Sequence, residues 1–317
     1  MKKAWKSLPI LWLVLGFVLA CGSGYGYHLM KNAGSNAEQM THQIEPKKTS
    51  QKRIKQKTNE ATYDENQIKP VTPDAFAQAQ LRYEKIVNQW GIGSLYIPSA
   101  NVRTKILAGM DNQSLMVGVG TYSPTQQFGK GNYVVLAHNL VQGGGSLGNL
   151  PKTELNQVFY ATDFAYVYEY VARKNAVVNQ SEGELLEEPE KSDEALMTLI
   201  RCEGGLNTDQ RAIVQGTFVK RYPADQASAE VKLGLGLIEE KMTEVGPSDP
   251  TVDSSSDVFS QKRKQSHKKT AEQPIYSPLQ RVCISAFAWL NQSPVLIAIG
   301  YLVILSLLIK GSTLITL

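Results

Sequence analysis

Two long stretches without a charged side chain, one near each end, most constrain how this chain can fold. Leu8–Met30 contains no Lys, Arg, Asp or Glu over 23 residues, and Val282–Ile309 contains none either. A helix that crosses a bilayer needs about 20 apolar residues. Three lysines precede the first stretch, and basic residues favour the cytoplasmic side. We therefore predict an N-terminal membrane anchor within residues 1–30 and a second membrane helix within residues 282–317.

Both apolar stretches allow interpretations other than a membrane helix of the predicted orientation. A cleavable signal peptide has the same basic start and apolar centre as an uncleaved anchor. Val18–Gly22 also resembles a lipoprotein processing site, which would attach lipid at Cys21, although the large Leu19 fits that pattern poorly. At the other end, the basic run Gln261–Lys269 precedes the apolar stretch on the side expected to be external, against the positive-inside tendency. The topology of this tail therefore stays open.

The segments that join these ends to the centre of the chain are polar. Residues 31–72 are rich in Gln, Asn, Lys and Thr, with a basic run at Lys47–Lys57, and are interpreted as a disordered basic stalk. Pro73 and Asp74 then open an amphipathic helix. Residues 227–281 are interpreted as a mostly disordered linker with a second basic run, and a helix is expected within 224–242. The formal charge of +4 is thus less informative than its distribution.

Short β-rich runs separated by Gly, Pro and Asn turns indicate an all-β domain. About eight such runs suit a small closed barrel that is filled by its own side chains. A one-turn helix is expected at Asn112–Met116. Residues 73–226 are therefore predicted to form a closed eight-stranded β-barrel with short helices, flanked by the disordered linkers and the terminal membrane helices. The predicted strands are Ile92–Ile97, Val102–Leu107, Tyr133–His138, Val158–Tyr160, Tyr166–Ala172, Ala176–Val178, Leu196–Cys202 and Ala212–Arg221.

The three cysteines do not form a disulfide framework. Cys21 and Cys283 lie in or beside the apolar ends, which leaves Cys202 alone in the central domain. Cys202 ends one predicted strand, a second β-rich run begins at Arg211, and His138 ends an earlier strand. A thiolate nucleophile, an imidazole that carries a proton to a leaving amine, and a cation that stabilises an oxyanion form a workable set for acyl transfer. We predict these three residues as catalytic, in a reaction that needs no cofactor.

Four short segments and Arg211 together resemble the sortase family. Thr198–Cys202, with Arg211 nine residues after the cysteine, follows Leu136–His138 in the order and spacing of that family. Ile92–Pro98 and Gly118–Thr121 resemble its early strands. The resemblance implies the sortase type of eight-stranded barrel, with catalytic roles for the same histidine, cysteine and arginine.

The resemblance covers roughly residues 89–222 and is nearest to the class A enzymes. Arg201 stands where sortases usually carry Thr before the nucleophile, and Ala137 stands where they carry Gly or Ser before the histidine. The resemblance implies a membrane-anchored extracellular cysteine transpeptidase of a Gram-positive cell. Such an enzyme cleaves a Leu-Pro-X-Thr-Gly-like sorting signal of a surface protein between Thr and Gly, and attaches the protein to a cell-wall precursor amine.

Two other functions stay open at this point. The C-terminal apolar stretch is unusual for class A and resembles the class C enzymes, which polymerise pilins on a lysine side chain. The Arg201 departure also allows a catalytically degenerate sortase-like barrel, which would bind substrate or serve as a scaffold for other enzymes. The sequence contains no zinc-ligand spacing and no glycine-rich phosphate loop, and its basic runs lack the aromatics of nucleic-acid binders.

Three further motifs are considered. Gly144–Gly148 matches the nucleophile elbow of serine hydrolases around Ser146, but His138 precedes it, so a catalytic Ser146 is not expected. Leu150–Glu154 resembles the sorting signal itself; a chance match in a turn is favoured over a pseudo-substrate role. Seven carboxylates crowd Glu182–Glu194, where Ca²⁺ is conceivable, although a solvated acidic loop is favoured because no fixed ligand spacing is visible.

Overall fold

Eight strands close into a barrel at the centre of the computed structural model, which describes residues 2–139, 145–189, 194–203, 208–239 and 275–314. The barrel order is β2-β3-β4-β5-β8-β9-β7-β6, and two further short strands, β1 and β10, pair with each other outside it. The pairs β3/β4 and β5/β8 are parallel, and the other barrel pairs are antiparallel. The strands are β1 His42–Gln43, β2 Gly91–Ile97, β3 Val102–Leu107, β4 Val119–Thr121, β5 Asn132–Ala137, β6 Val158–Thr162, β7 Tyr166–Asn179, β8 Leu196–Cys202, β9 Gln210–Pro223 and β10 Leu237–Ile238.

The barrel confirms the predicted fold class, with two differences among its strands. Residues 166–172 and 176–178, expected as two strands, are the single strand β7, whose pairing with β9 shifts register between Ala172 and Lys174. This irregularity coincides with the polar residues that interrupt the apolar pattern. The eighth strand is β4, and its three residues are too few to show a periodic pattern.

The barrel interior is filled by side chains that alternate along its strands, as a period of two requires. Leu95, Val135 and Leu199 are fully buried there, and Phe159 stacks on Tyr170 with ring centroids 5.4 Å apart. The Tyr170 hydroxyl accepts a hydrogen bond from the backbone N–H of Gly129 at 3.0 Å. The polar tip of this large buried ring is therefore satisfied, and the barrel is a packed core without a channel.

Helices surround the barrel and form both ends of the described chain. The expected helix at Pro73 appears as two helices that meet at Arg82, and Thr72 caps the first by accepting from the backbone N–H of Ala75. Within the described part of the helix expected at 224–242, residues 229–235 are α-helical, and this helix ends at Gly236, whose φ is +67°. The helices are α1 Lys2–Lys31, α2 Asn36–Gln39, α3 Lys47–Glu60, α4 Pro73–Leu81, α5 Tyr83–Trp90, α6 Ser114–Val117, α7 Ala229–Leu235, α8 Pro278–Gln292 and α9 Pro294–Leu314.

Residues 42–60 differ from the disordered stalk that composition predicts, because α3 lies against the barrel wall. Ser50 is fully buried and its hydroxyl donates to the backbone oxygen of Asp163 at 2.7 Å. Arg53 donates to the backbone oxygens of Gly91 at 3.0 Å and Asp163 at 2.9 Å, and pairs with Glu45 at 3.1 Å. Polar side chains of this segment thus donate hydrogen bonds to backbone carbonyls of the barrel. Residues 240–274, which include most of the second predicted linker, lie outside the described residues.

The terminal helices pack against each other in antiparallel directions. Residues 7–31 and 294–311 are long and apolar enough to cross a membrane by length and composition. The rings of Trp12 and Tyr301 stack with centroids 5.3 Å apart, and the Tyr301 hydroxyl donates to the backbone oxygen of Trp12 at 3.0 Å. Near the other end of α1, a Cβ on Gly26 would lie 2.3 Å from the backbone oxygen of Cys283. Only glycine allows α1 and α8 to approach this closely.

Candidate active site

A cavity of about 290 Å³ opens on the barrel wall where β5 and β8 end and β9 begins. His138, Cys202 and Arg211, the three residues predicted as catalytic, all line it. The structure therefore brings together groups that are 64 and 9 residues apart in the chain.

Strand register explains this convergence. In the parallel pair β5/β8, Ala137 faces Arg201, so His138 and Cys202 are the next residues along two neighbouring strands. In the antiparallel pair β8/β9, Cys202 faces Arg211. Neighbouring strands lie about 4.8 Å apart. The thiol therefore stands between the imidazole and the guanidinium on one edge of the barrel, and its position is set by backbone pairing.

His138 is held by two contacts with the loop before it. Its backbone N–H donates to the backbone oxygen of Leu115 at 3.0 Å, and its Nε2 lies 2.7 Å from Asn112 Oδ1. The backbone N–H of Lys69, which can only donate, also points to Asn112 Oδ1, at 3.1 Å. This fixes the orientation of the Asn112 amide, so that Nε2 of the histidine is the donor. Nδ1 is then the ring nitrogen that can accept a proton.

Burial determines the charge of this imidazole. Desolvation lowers the pKa of His138 to about 4, since none of the described carboxylates offsets the cost of burying the charged form. The ring is therefore neutral at neutral pH. In that state it can take a proton before it gives one.

Arg211 is fixed by neutral partners. One of its terminal nitrogens donates to Gln180 Oε1 at 2.6 Å, and the other donates to the backbone oxygens of Thr208 at 2.7 Å and Gln210 at 2.9 Å. None of the described carboxylates forms an ion pair with it. Because no described carboxylate neutralises its charge, this guanidinium can stabilise a developing oxyanion in the cavity.

Comparison with known proteins agrees with this geometry. The sortase domain family matches residues 95–219, a range that contains all three residues. Residues 95–219 therefore carry a sortase domain. The chain is 24% identical over 216 residues to sortase A of Listeria monocytogenes, which covers 68% of this chain and 91% of that protein. It is 26% identical over 220 residues to sortase A of Streptococcus agalactiae, which covers 67% of this chain and 85% of that protein.

A solved structure of sortase A from Listeria monocytogenes also matches, with a TM-score of 0.42 and 24% identity over 46% of this chain and 97% of that one. The sortase family is one of cysteine transpeptidases, which agrees with a cysteine in the wall of the cavity. The assignment of the chain to sortases, first made from its motifs, is thereby confirmed.

Arg201, the departure beside Cys202, packs between small neighbours on the two adjacent strands. Its side chain is 8% exposed and forms an ion pair with the carboxylate of Glu203. Its register partners on the two adjacent strands are Ala137 and Ala212, both buried. Since register partners share a face, the two alanines leave room for a long side chain. The two departures from the sortase pattern, Ala137 and Arg201, are thus structurally linked.

Several residues that line the cavity were missed by the sequence analysis. Glu65 and Ile68 come from the segment predicted as a stalk, and Tyr122 and Gln180 come from loops. The segment is held there by Thr62, whose backbone oxygen accepts from the N–H of Met110 at 2.8 Å. Gly109 permits this approach, since its φ is +80° and a Cβ on it would lie 2.5 Å from Thr62 O. These contacts depend on loop geometry, which no local sequence pattern encodes.

Among the remaining motifs, the acidic loop reaches the cavity through Glu182, and the other two lie apart from it. Leu150 is fully buried in the barrel core, and Asn175 donates to the backbone oxygens of Pro151 and Thr153, so the Leu150–Glu154 match is a structural turn. Neither this turn nor Ser146 lines the cavity. In the acidic loop, Glu188 accepts from the backbone N–H of Asn132 at 3.0 Å. The described residues contain no group of three or more metal-ligating side chains, and residues 190–193 of this loop lie outside them.

The contact between Asn112 and His138 leads to a prediction about pH. In the Asn112→Asp variant, a carboxylate beside Nε2 should favour the imidazolium and raise the pKa of His138 by about one to three units. NMR titration of the His138 ring in a Cys202→Ala background measures this. The matched control is Gln113→Glu, which places the same charge on an exposed neighbour and should have a much smaller effect. An unchanged titration in Asn112→Asp would mean that the two side chains are not in contact.

Proposed function

We propose that this protein is a membrane-anchored, extracellular sortase of the class A type. It cleaves a Leu-Pro-X-Thr-Gly-like sorting signal of a surface protein between Thr and Gly, and transfers the protein to an amine of a cell-wall precursor. The observation that carries the proposal is the strand register, which gives Cys202 a histidine on one side and an arginine on the other. No cofactor takes part in this chemistry.

The first half of the reaction forms a thioester. The Cys202 thiol gives its proton to Nδ1 of the neutral His138 and its sulfur attacks the threonine carbonyl carbon. Arg211 stabilises the resulting oxyanion. When the tetrahedral intermediate collapses, the carbon–nitrogen bond to glycine breaks and the imidazolium gives its proton to the leaving amine. The threonine carbonyl is then bound to Cys202 and His138 is neutral again.

The second half reverses these steps with another amine. The incoming amino group attacks the thioester carbonyl while His138 accepts its proton. The carbon–sulfur bond breaks, and the imidazolium returns the proton to the Cys202 sulfur. The products are a new amide and the original thiol, so protons balance over the cycle.

The cavity wall supports an apolar peptide substrate. Val178, Leu185 and Ile213 form a small hydrophobic cluster that lines the cavity, with Ile200 packed against it. Leu136 lines the opening from the neighbouring strand. An extended segment that begins with Leu and Pro would bury its side chains against this surface, while its threonine carbonyl meets the thiol.

The central test uses the full chain in detergent and a quenched sorting-signal peptide. Cys202→Ala should reduce cleavage to the uncatalysed level, and His138→Ala and Arg211→Ala should each lower kcat/KM by about 10²- to 10⁴-fold. Cys283→Ala is the matched control, since it removes a thiol from α8, and its activity should equal that of the parent.

Product analysis separates the alternatives. Hydroxylamine should capture the acyl group as a hydroxamate. Transfer to a lysine side chain in preference to a wall-precursor amine would instead assign a pilin-polymerising function. Binding of the peptide without cleavage would assign a degenerate binding barrel. Cleavage that survives Cys202→Ala would defeat the proposal in all its forms.

The antiparallel terminal helices support two membrane crossings. Residues 7–31 and 294–311 would both span the bilayer, with the barrel outside and both ends of the chain in the cytoplasm. The Trp12–Tyr301 contact would then lie within the membrane.

A topology reporter fused after Leu317 tests this arrangement. A cytoplasmic signal is expected, together with an external signal when the same reporter follows Gln226. An external signal after Leu317 would leave α1 as the single anchor and would reverse the assignment of α9.

A further inference from the structure

A second cavity, of about 60 Å³, lies on the outer face of the barrel beneath the segment that carries β1 and α3. His42, Lys57 and Lys105 contribute to its wall, and none of its described lining residues carries a carboxylate. It is separate from the Cys202 cavity and shares no lining residue with it. A cavity of this size has room for a small ion, since one water occupies about 30 Å³ in the liquid.

Lys105 is a buried cation without a negative partner. It lies on β3 opposite Ser94 of β2 and is 3% exposed. Its Nζ has one hydrogen bond, a long one of 3.4 Å to Ser94 Oγ, and no ion pair with any described carboxylate. Burial lowers its pKa to about 8, which still leaves the ammonium mostly protonated at pH 7. An unpaired buried charge of this kind is strongly unfavourable unless another ion compensates it.

Lys57 adds a second cation from α3. Its Nζ donates to the backbone oxygens of Asn88 at 2.7 Å and Gly91 at 2.9 Å, which are neutral acceptors. Burial, and then the charge of Arg53, lower its pKa to about 8 as well. Two ammonium groups therefore border one cavity.

Glu45, the described carboxylate that contacts His42 of the cavity wall, is already engaged. Glu45 pairs with Arg53 at 3.1 Å and with His42 Nε2 at 2.8 Å. Burial lowers the pKa of His42 despite this contact, so its imidazole adds little positive charge beside Glu45. Arg53 and Glu45 balance each other, and the positive charge of the two lysines remains.

We infer that this cavity binds one small inorganic anion, of chloride to phosphate size, between Lys105 of the barrel and Lys57 of α3. The anion compensates both ammonium groups and joins the N-terminal segment to the barrel wall. Because both lysines contribute only when α3 is docked, the anion binds the folded arrangement and stabilises it by mass action. Binding should weaken above pH 8, as the lysines lose their charge.

Thermal unfolding of the full chain in detergent tests this inference. At pH 7 and constant ionic strength, gluconate is replaced stepwise by phosphate, and in a second series by chloride. We expect at least one of these anions to raise Tm with saturation, by about 5 °C at one hundred times Kd. The same rise should shrink at pH 9.

Three variants make the result specific. Lys105→Met should abolish the response and should melt at or above the parent in gluconate, since methionine fills the same space without a charge. Lys57→Met should weaken or abolish the response, and carries the test if Lys105→Met does not fold. The matched control Lys85→Met makes the same change on the exposed face of α5 and should keep the full response.

Two results would overturn the inference. One is that neither anion changes Tm of the parent. The other is an equal rise in the parent and in the two cavity variants, which would be a general salt effect on the protein surface.

Discussion

The parallel pairing of β5 with β8 is the contact on which the site depends. Ala137 faces Arg201 in this pair, and the pairing of β8 with β9 places Cys202 opposite Arg211. Backbone hydrogen bonds between buried strands hold these positions more rigidly than loops could. A slip of one residue in β8 would turn Cys202 to the other face of the wall and separate it from both partners. The chemistry of the cavity is thus a consequence of barrel register.

The remaining structure connects this register to the terminal helices. Asn36, just after α1, donates to Gln80 Oε1 at 2.8 Å and to the Tyr276 hydroxyl at 2.6 Å. Gln80 donates in turn to the backbone oxygen of Met116 at 2.8 Å, and the adjacent carbonyl of Leu115 accepts from His138. Buried hydrogen bonds therefore link the segments next to the terminal helices to the Leu115–Met116 backbone, which holds His138. Residues 42–69 add a second connection along the barrel wall.

Most of the barrel could be predicted from sequence, because its strands are apolar, β-branched runs with clear boundaries. Val102–Leu107 and Leu196–Cys202 have the predicted bounds in the structure. The three candidate residues that line the cavity could be picked out because each ends or begins such a run. The docking of residues 42–60 could not be predicted, because it depends on polar side chains that donate to barrel carbonyls. Composition alone assigns such a segment to disorder. Asn112 was missed for a related reason, since only the folded loop brings its amide to His138.

The most direct test of the account is to locate the acyl-enzyme. The full chain is mixed with a sorting-signal peptide, quenched in acid during turnover, and analysed by intact-protein and peptide mass spectrometry. The account predicts a mass increase equal to the peptide through its threonine, sensitive to hydroxylamine and confined to the fragment that contains Cys202. An adduct on Cys21 or Cys283, or cleavage without any covalent adduct on Cys202, would contradict it.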